Sequence, residues 1–270
     1  MKKIIYGGSV TGTYHKDQKV PNQDAYAYKK VKSYYVMIVA DGVSLNFKGK
    51  FSMSQEASQL LVDQSMKYIR RSLIHKRKRL LTIIKDAFIY SEKRLIDYIG
   101  KKDPSNYMST LTIAIADRKG RIFYGNVGDS GIIYIDEYDD IYHATKKKES
   151  NVVHSIFEDD HWEFGYVKHV KAAIVATDGI LDEFSKELRC DRYVPYNLHF
   201  INHLFVYNKA KRYKDHVFNK TLSKLSSSVT TDDKTAILYF NDIVPLYKTT
   251  PLTNEQINEI NKRLNKKVFI

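Results

Sequence analysis

Cysteine is almost absent from this 270-residue chain. Cys190 stands alone, so no disulfide can close within the molecule, and no Cys/His set at zinc-ligand spacing accompanies it. That usage fits a reducing compartment, and the expected location is cytoplasmic. Long apolar runs are lacking too. The amino terminus, Met1-Lys2-Lys3-Ile4-Ile5-Tyr6-Gly7-Gly8, is positively charged, but its apolar stretch stops well short of a signal-peptide core. No run approaches the roughly 18 to 20 apolar residues that a membrane-spanning helix requires, so a membrane is not an expected partner. There is no Pro/Gly/Ser-rich linker, low-complexity tract or internal repeat to mark a boundary. One domain spanning 1–270 is expected, with a core of about 5–240 and a C-terminal extension, 241–270, that carries a helix.

What is present is a mixture suited to a folded core: 43% hydrophobic residues, 13% aromatic and 28% charged, which excludes disorder. The formal net charge of +13 attracts anions, with nucleic acid, acidic lipid and phosphorylated molecules as the classes to weigh. The positive charge is scattered and no stacking-aromatic motif accompanies it, so nucleic acid is not expected as the main partner. The densest run, Lys76-Arg77-Lys78-Arg79, reads as a solvated helix end between two helical patterns.

The hydrophobic pattern changes period along the chain. Tyr34 to Ala40 is a short apolar run rich in aromatic and β-branched residues, which predicts a strand buried on both faces. Ser54 to Leu73 repeats Ala57, Leu60, Leu61, Tyr68, Ile69 and Leu73 at helical spacing, and Leu81, Ile84, Phe88, Leu95 and Ile99 do the same. Thr110 to Asp117 and Arg121 to Val127 read as a hairpin closed by Arg118-Lys119-Gly120, with Gly120 supplying a positive φ. Gly131–Asp136, Ala172–Thr177 and Thr235–Phe240 are further strands. Leu198–Leu225 reads as helical in part, and Asn254–Leu264 as a helix. Strands and helices in blocks predict an α+β fold with antiparallel sheets covered by helix pairs.

The acidic residues occupy unusual places. Asp41 and Asp178 each end an apolar strand and each precedes a glycine, in Val39-Ala40-Asp41-Gly42 and Ala176-Thr177-Asp178-Gly179. Asp129 follows a strand in Gly125-Asn126-Val127-Gly128-Asp129-Ser130, Asp232-Asp233 precede one, and Asp24 lies in Pro21-Asn22-Gln23-Asp24-Ala25. A carboxylate at the rim of a core loses hydration and needs hydrogen bonds, a cation or a proton in return. Glycine after the carboxylate is expected to let the backbone turn sharply and bring its carbonyl close to whatever is held. One Asp-Gly is ordinarily a turn. Carboxylates at five strand ends, without His or Cys at ligand spacing, form an oxygen-rich set that suits Mg²⁺ or Mn²⁺ better than zinc.

These motifs, in this order, resemble the metal-dependent serine/threonine phosphatases of type 2C, the PPM family. The likeness runs over roughly residues 5 to 240, and Gly12-x-x-His15 through Gln23-Asp24 looks most like the compact bacterial-type branch. The resemblance implies an α+β fold: a central antiparallel β-sandwich flanked by helix pairs on both sides, with metals at one end. It implies two or three Mg²⁺ or Mn²⁺ ions, with Asp41 bridging two of them and the Gly42 carbonyl binding one. Asp178 and Asp232 would complete the other metal's ligands, Asp24 would act directly or through water, and Asp129 would hold a weaker third ion. It implies hydrolysis of phosphoserine or phosphothreonine on proteins by metal-activated water, and a cognate serine/threonine kinase as a further partner. A catalytically weak phosphatase-like binding or regulatory module is the alternative.

The sequence departs from the common pattern at several points. Gly12 to Lys19 contains no arginine to clamp the phosphate, which leaves His15, Lys16 or Lys19 as substitutes, without the planar fork of a guanidinium. Gln23 stands where many members have glutamate, and is expected to position water through its amide. Val43-Ser44-Leu45 replaces the common His-Gly-Gly, and Asp233 stands where asparagine is frequent. Between Asp129 and Asp178, His161 and Trp162 are read either as surface contacts or, for Trp162, as a packing anchor.

Overall fold

In the computed structural model, residues 4–43, 53–75, 78–138, 141–146, 152–184, 222 and 231–241 are described. The run Tyr34–Asp41 forms strand β3 as expected, and its alternate residues divide between two cores. Val36, Ile38 and Ala40 join one cluster, while Tyr35, Met37 and Val39 join another, the period-2 consequence of a strand buried on both faces. β2, Asp24–Val31, pairs with it antiparallel and places Asp24 directly opposite Asp41. β4, Leu111–Ala116, and β5, Ile122–Val127, form the expected hairpin, in which Gly120 takes φ +70. β8, Glu163–Val167, completes a five-stranded sheet of order β2-β3-β4-β5-β8.

The second sheet has the order β1-β10-β9-β6-β7 and is also antiparallel throughout. Its strands are β1, Ile4–Val10; β6, Gly131–Ile135; β7, Ile141–His143; β9, Ala172–Ala176; and β10, Lys234–Phe240. The two sheets face each other through Tyr35, Met37, Val39 and Tyr124 on one side and Ile132, Val175, Ile237 and Tyr239 on the other. The sequence pattern left β1, β2, β7 and β8 unmarked.

α2, Ser54–His75, and α3, Leu80–Ile99, cover the outer face of the first sheet. Ala57, Leu61, Ile69 and Leu73 from one helix meet Ile84, Ala87, Phe88 and Leu95 from the other over the β2–β5 strands. Removing Phe88, fully buried here, to alanine is expected to cost about 3–5 kcal/mol. Between the helices the Ser65 and Ser91 hydroxyls hydrogen-bond at 2.7 Å, which satisfies two buried polar groups at once. On the far face of the second sheet, α4, Asp178–Phe184, and Leu222 join a separate apolar cluster with Ile133, Ile174 and Phe240. The helices expected within Leu198–Leu225 and over Asn254–Leu264 lie outside the described residues, Leu222 excepted.

A short helix, α1, Thr13–Asp17, links β1 to β2. The connectivity brings the start of β2, the end of β3, the end of β5, the end of β9 and the start of β10 to one end of the sandwich.

Candidate metal centre

Those strand ends carry Asp24, Asp41, Asp129, Asp178 and Asp232. Ligand oxygens of Asp41, Asp129 and Asp178 all lie within 4.8 Å of one another. Each residue keeps a partly exposed edge, but the carboxyl groups of Asp24, Asp41, Asp178 and Asp232 sit below the surface, where ionisation is costly. Burial, then the charge of Asp233, pushes Asp24 well above the ordinary carboxylate range. Burial, followed by the charges of Asp24, Asp178, Asp232 and Asp129, does the same to Asp41. Asp178 is pushed up to about 7 by burial and by Asp129 and Asp232. Asp232 is raised by burial, against the opposing hydrogen bond from the Asp233 N–H.

The protein fixes these groups from behind. The Thr110 hydroxyl accepts from the Asp41 N–H at 2.9 Å and hydrogen-bonds Ser130, next to Asp129, at 2.9 Å. The Thr177 hydroxyl donates to Asp24 Oδ2, and Thr235 N–H donates in turn to Thr177 Oγ1. Gly128, at φ +90, folds the chain over Thr110, where any side chain would collide with the threonine methyl.

The expected role of glycine after Asp41 and Asp178 needs correction. Neither Gly42 nor Gly179 adopts positive φ: Gly42 extends β3 by a bridge to Ser109, and Gly179 lies in the first turn of α4. Both are required by close approach. A Cβ on Gly42 would stand 2.7 Å from the Ser54 backbone, and one on Gly179 would overlap the Asp233 carbonyl oxygen. Glycine here lets α2 and the Asp232–Asp233 loop come in against the two aspartates.

His15 and Gln23 are both buried. The His15 ring sets Nδ1 2.9 Å from Asp233 Oδ2, and that partner, opposed by burial, raises its pKa. Asp233 also accepts from Gly12 N–H at 2.7 Å and from Gln23 N–H at 2.6 Å. The expectation that His15 contacts substrate phosphate does not suit a buried ring facing Asp233; its placement is that of an anchor for the loop bearing Asp232. The Gln23 carbonyl accepts from Ser58 Oγ and from Gly42 N–H, so its backbone ties α2 to the end of β3.

The roles of three residues are not evident in the sequence alone. Asp182, one helical turn beyond Asp178, adds its charge to the cluster, and its i, i+4 spacing on a helix was the available signal. Asp233 accepts from two backbone N–H groups and pairs with the His15 ring, for which an Asp-Asp doublet gives no cue. Lys234 is buried and reaches the Asp232 carbonyl at 3.3 Å, lowering the cost of the Asp232 charge. Trp162 resolves as a packing anchor: its ring meets Phe88 and Phe164 edge-on, and its N–H donates to the Ile156 carbonyl. His161 lies at the surface.

The donor set is what a hard divalent cation requires. It consists of oxygens alone, crowded and desolvated so that full ionisation is unfavourable without a positive charge, and Asp178 Oδ1 is buried without a hydrogen-bond partner. Such a centre at one end of an antiparallel sandwich is that of a metal-dependent hydrolase. Residues 11–215 match the protein phosphatase 2C family model, and the chain belongs to that family, the metal-dependent serine/threonine protein phosphatases. No curated protein matches the sequence significantly.

Solved structures share the fold. The Mycobacterium tuberculosis serine/threonine phosphatase PstP/Ppp aligns with a TM-score of 0.62 at 12% identity, over 90% of this chain and all of that one. The catalytic domain of serine threonine protein phosphatase PstP in complex with 2 manganese ions gives 0.61 at 12% identity, over 88% and 97% of the two chains. The S. agalactiae serine/threonine phosphatase gives 0.59 at 15% identity, over 88% and 99%.

Proposed function

We propose that this phosphatase holds two or three Mg²⁺ or Mn²⁺ ions on Asp24, Asp41, Asp129, Asp178, Asp232 and the Gly42 carbonyl. The observation that carries this reading is the knot of three carboxylates within 4.8 Å at the strand ends, with one buried oxygen left without a donor. A structural relative crystallised with manganese supports the count of two and the choice of metal. When bound, the ions supply Lewis acidity, activating water and offsetting charge on the phosphoryl group.

The chain's own residues do the positioning. Thr110 and Thr177 fix the Asp41 backbone and the Asp24 carboxylate, while His15, through Asp233, holds the loop that carries Asp232. Gln23 lies in the same wall, where its amide would orient water. The substrate would be phosphoserine or phosphothreonine on a protein, generated by a serine/threonine kinase in the cytoplasm, and 1–270 would act as one domain.

The test compares the parent chain with Asp178→Asn on a phosphothreonine peptide in Mn²⁺. Hydrolysis by the parent, lost with chelator and in the variant, is the expected outcome. A parent that binds the peptide but never releases phosphate would instead indicate a regulatory module.

A further inference from the structure

A second group of metal-ligating side chains lies outside the aspartate centre, in the segment between β7 and β8. His154 Nδ1 is 2.7 Å from Glu158 Oε2, and the His161 ring lies parallel over the His154 ring, 3.5 Å between centroids and 10° between planes. One ligand atom from each of the three lies within 4.8 Å of the others. A surface His–Glu ion pair would account for two of these residues. It gives no reason for the second imidazole to stack on the first, bringing two nitrogens and a carboxylate together.

We propose that His154, Glu158 and His161 form a separate metal site that takes a borderline divalent ion of the Zn²⁺ class. Two imidazoles and one carboxylate match zinc and its neighbours, which accept nitrogen, whereas the all-oxygen aspartate centre suits Mg²⁺ or Mn²⁺. Two ligands on one zinc, each at about 2.0–2.1 Å, stand about 4 Å apart at most. Half-exposed His154 and Glu158 and exposed His161 close the remaining gap by side-chain rotation. On binding, the ion takes the lone pairs of His154 Nδ1 and Glu158 Oε2 in place of the contact between them, and the ring proton moves to His154 Nε2. Three protein ligands leave a fourth position open, and Asp160, 3.6 Å from His161 Nε2, adds a further carboxylate beside the site.

The frame that carries the ligands is rigid. Ile156 is fully buried, and its N–H donates to the Ser109 carbonyl at 2.9 Å. Trp162 is wedged against Phe88 and tied to the Ile156 carbonyl, and Ser155 N–H donates to the other oxygen of Glu158. Side chains presented from fixed backbone need little ordering when an ion arrives. The frame also abuts the aspartate centre: the His154 carbonyl would stand 2.9 Å from a Cβ on Gly128, the residue before Asp129.

The experiment titrates Zn²⁺ into the full chain, freed of metal and then held in excess Mg²⁺, by calorimetry. Co²⁺ in place of Zn²⁺ reports ligation by visible absorption. The expected result is uptake of one Zn²⁺ per chain, retained in Asp41→Asn, which disables the aspartate centre. His161→Ala alters an exposed side chain, and should weaken uptake at least about tenfold, the lower bound even for a supporting partner of a metal. Glu158→Gln, which removes a carboxylate ligand, should weaken it as well. Uptake unchanged in His161→Ala and in His154→Gln/His161→Ala, or no uptake by the parent in Mg²⁺, would overturn the proposal. Circular dichroism of each variant keeps loss of fold separate from loss of a ligand.

Discussion

The Thr177 hydroxyl donates to Asp24 Oδ2 across 2.8 Å, joining residues 153 positions apart at the ends of strands in opposite sheets. The bond pins the two sheets together where the carboxylates gather, and it favours the charged form of Asp24 against burial. Thr177→Val keeps the volume and removes the donor. The expected loss is about 1–3 kcal/mol, the cost of leaving a buried acceptor unmet. Denaturant unfolding in chelator measures it, and a loss below a few tenths of a kcal/mol would show that the bond does not hold the sheets.

Carboxylates crowded for a cation repel one another without it. Asp41→Asn and Asp178→Asn should therefore raise the melting temperature in chelator while abolishing the stabilisation by Mn²⁺. For the parent that stabilisation should reach about 2.7 kcal/mol at a hundredfold excess over the dissociation constant. Melting curves of the three proteins with and without Mn²⁺ decide the matter, and variants that melt below the parent in chelator would contradict it.

The pH dependence of the metal-free protein follows in sign. Asp24, Asp41, Asp178 and Asp232 have folded-state values above that of an unfolded aspartate. Their contribution is complete below the unfolded value, 3.8, and is lost as pH rises through the folded values, about 7 for Asp178. The raised His15 acts in the same direction, its share fading as pH climbs past its folded value. The chelated protein should thus unfold more readily at about pH 8 than at about pH 5, with the difference reduced in Asp41→Asn. Unfolding midpoints across that range, in EDTA and then in Mn²⁺, provide the measurement; a chelated parent that gains stability towards pH 8 would refute the assignment.

The anchor role of His15 separates from a phosphate-contact role in kinetics. His15→Gln leaves Asp233 with its Gly12 and Gln23 donors but without the imidazole. Stability should fall by about 1–3 kcal/mol. KM for an aryl phosphate should stay within about twofold, since no interaction with bound substrate is removed. A large rise in KM with unchanged stability would restore the phosphate-contact reading.

Much of this was legible because the chemistry lies at the ends of strongly patterned strands. Tyr34–Ala40 could hardly be anything but a doubly buried strand, and the position of Asp41 at its end follows directly. The hairpin at Gly120 and the two amphipathic helices read with the same ease. β1 was hidden because Ile4–Val10 contains two glycines, which dilute any β signal, and its place beside β10 is a pairing across the whole chain. β2 was hidden by its exposed lysines, Lys29 and Lys30, on a sheet edge. In the site, the aspartates were evident, but Thr110, Thr177 and Asp233 were not. Their roles depend on partners brought close only by folding, and a threonine or a second aspartate has no sequence pattern of its own. The surroundings of His15 were hidden for the same reason, since a histidine near a phosphate-binding motif looks alike whether it faces solvent or a buried carboxylate.

Asp24 and Asp41 face each other because β2 and β3 are joined at their far ends by a connection of only two residues, Lys32 and Ser33. Adding a single residue there, some 25 Å from the carboxylates along an eight-residue strand, would slide one partner past the other and swap its inner and outer faces. A solvent-facing bend that looks free to vary in length therefore sets the spacing of the acidic pair, and grafts or tags placed in it should silence the enzyme from a distance.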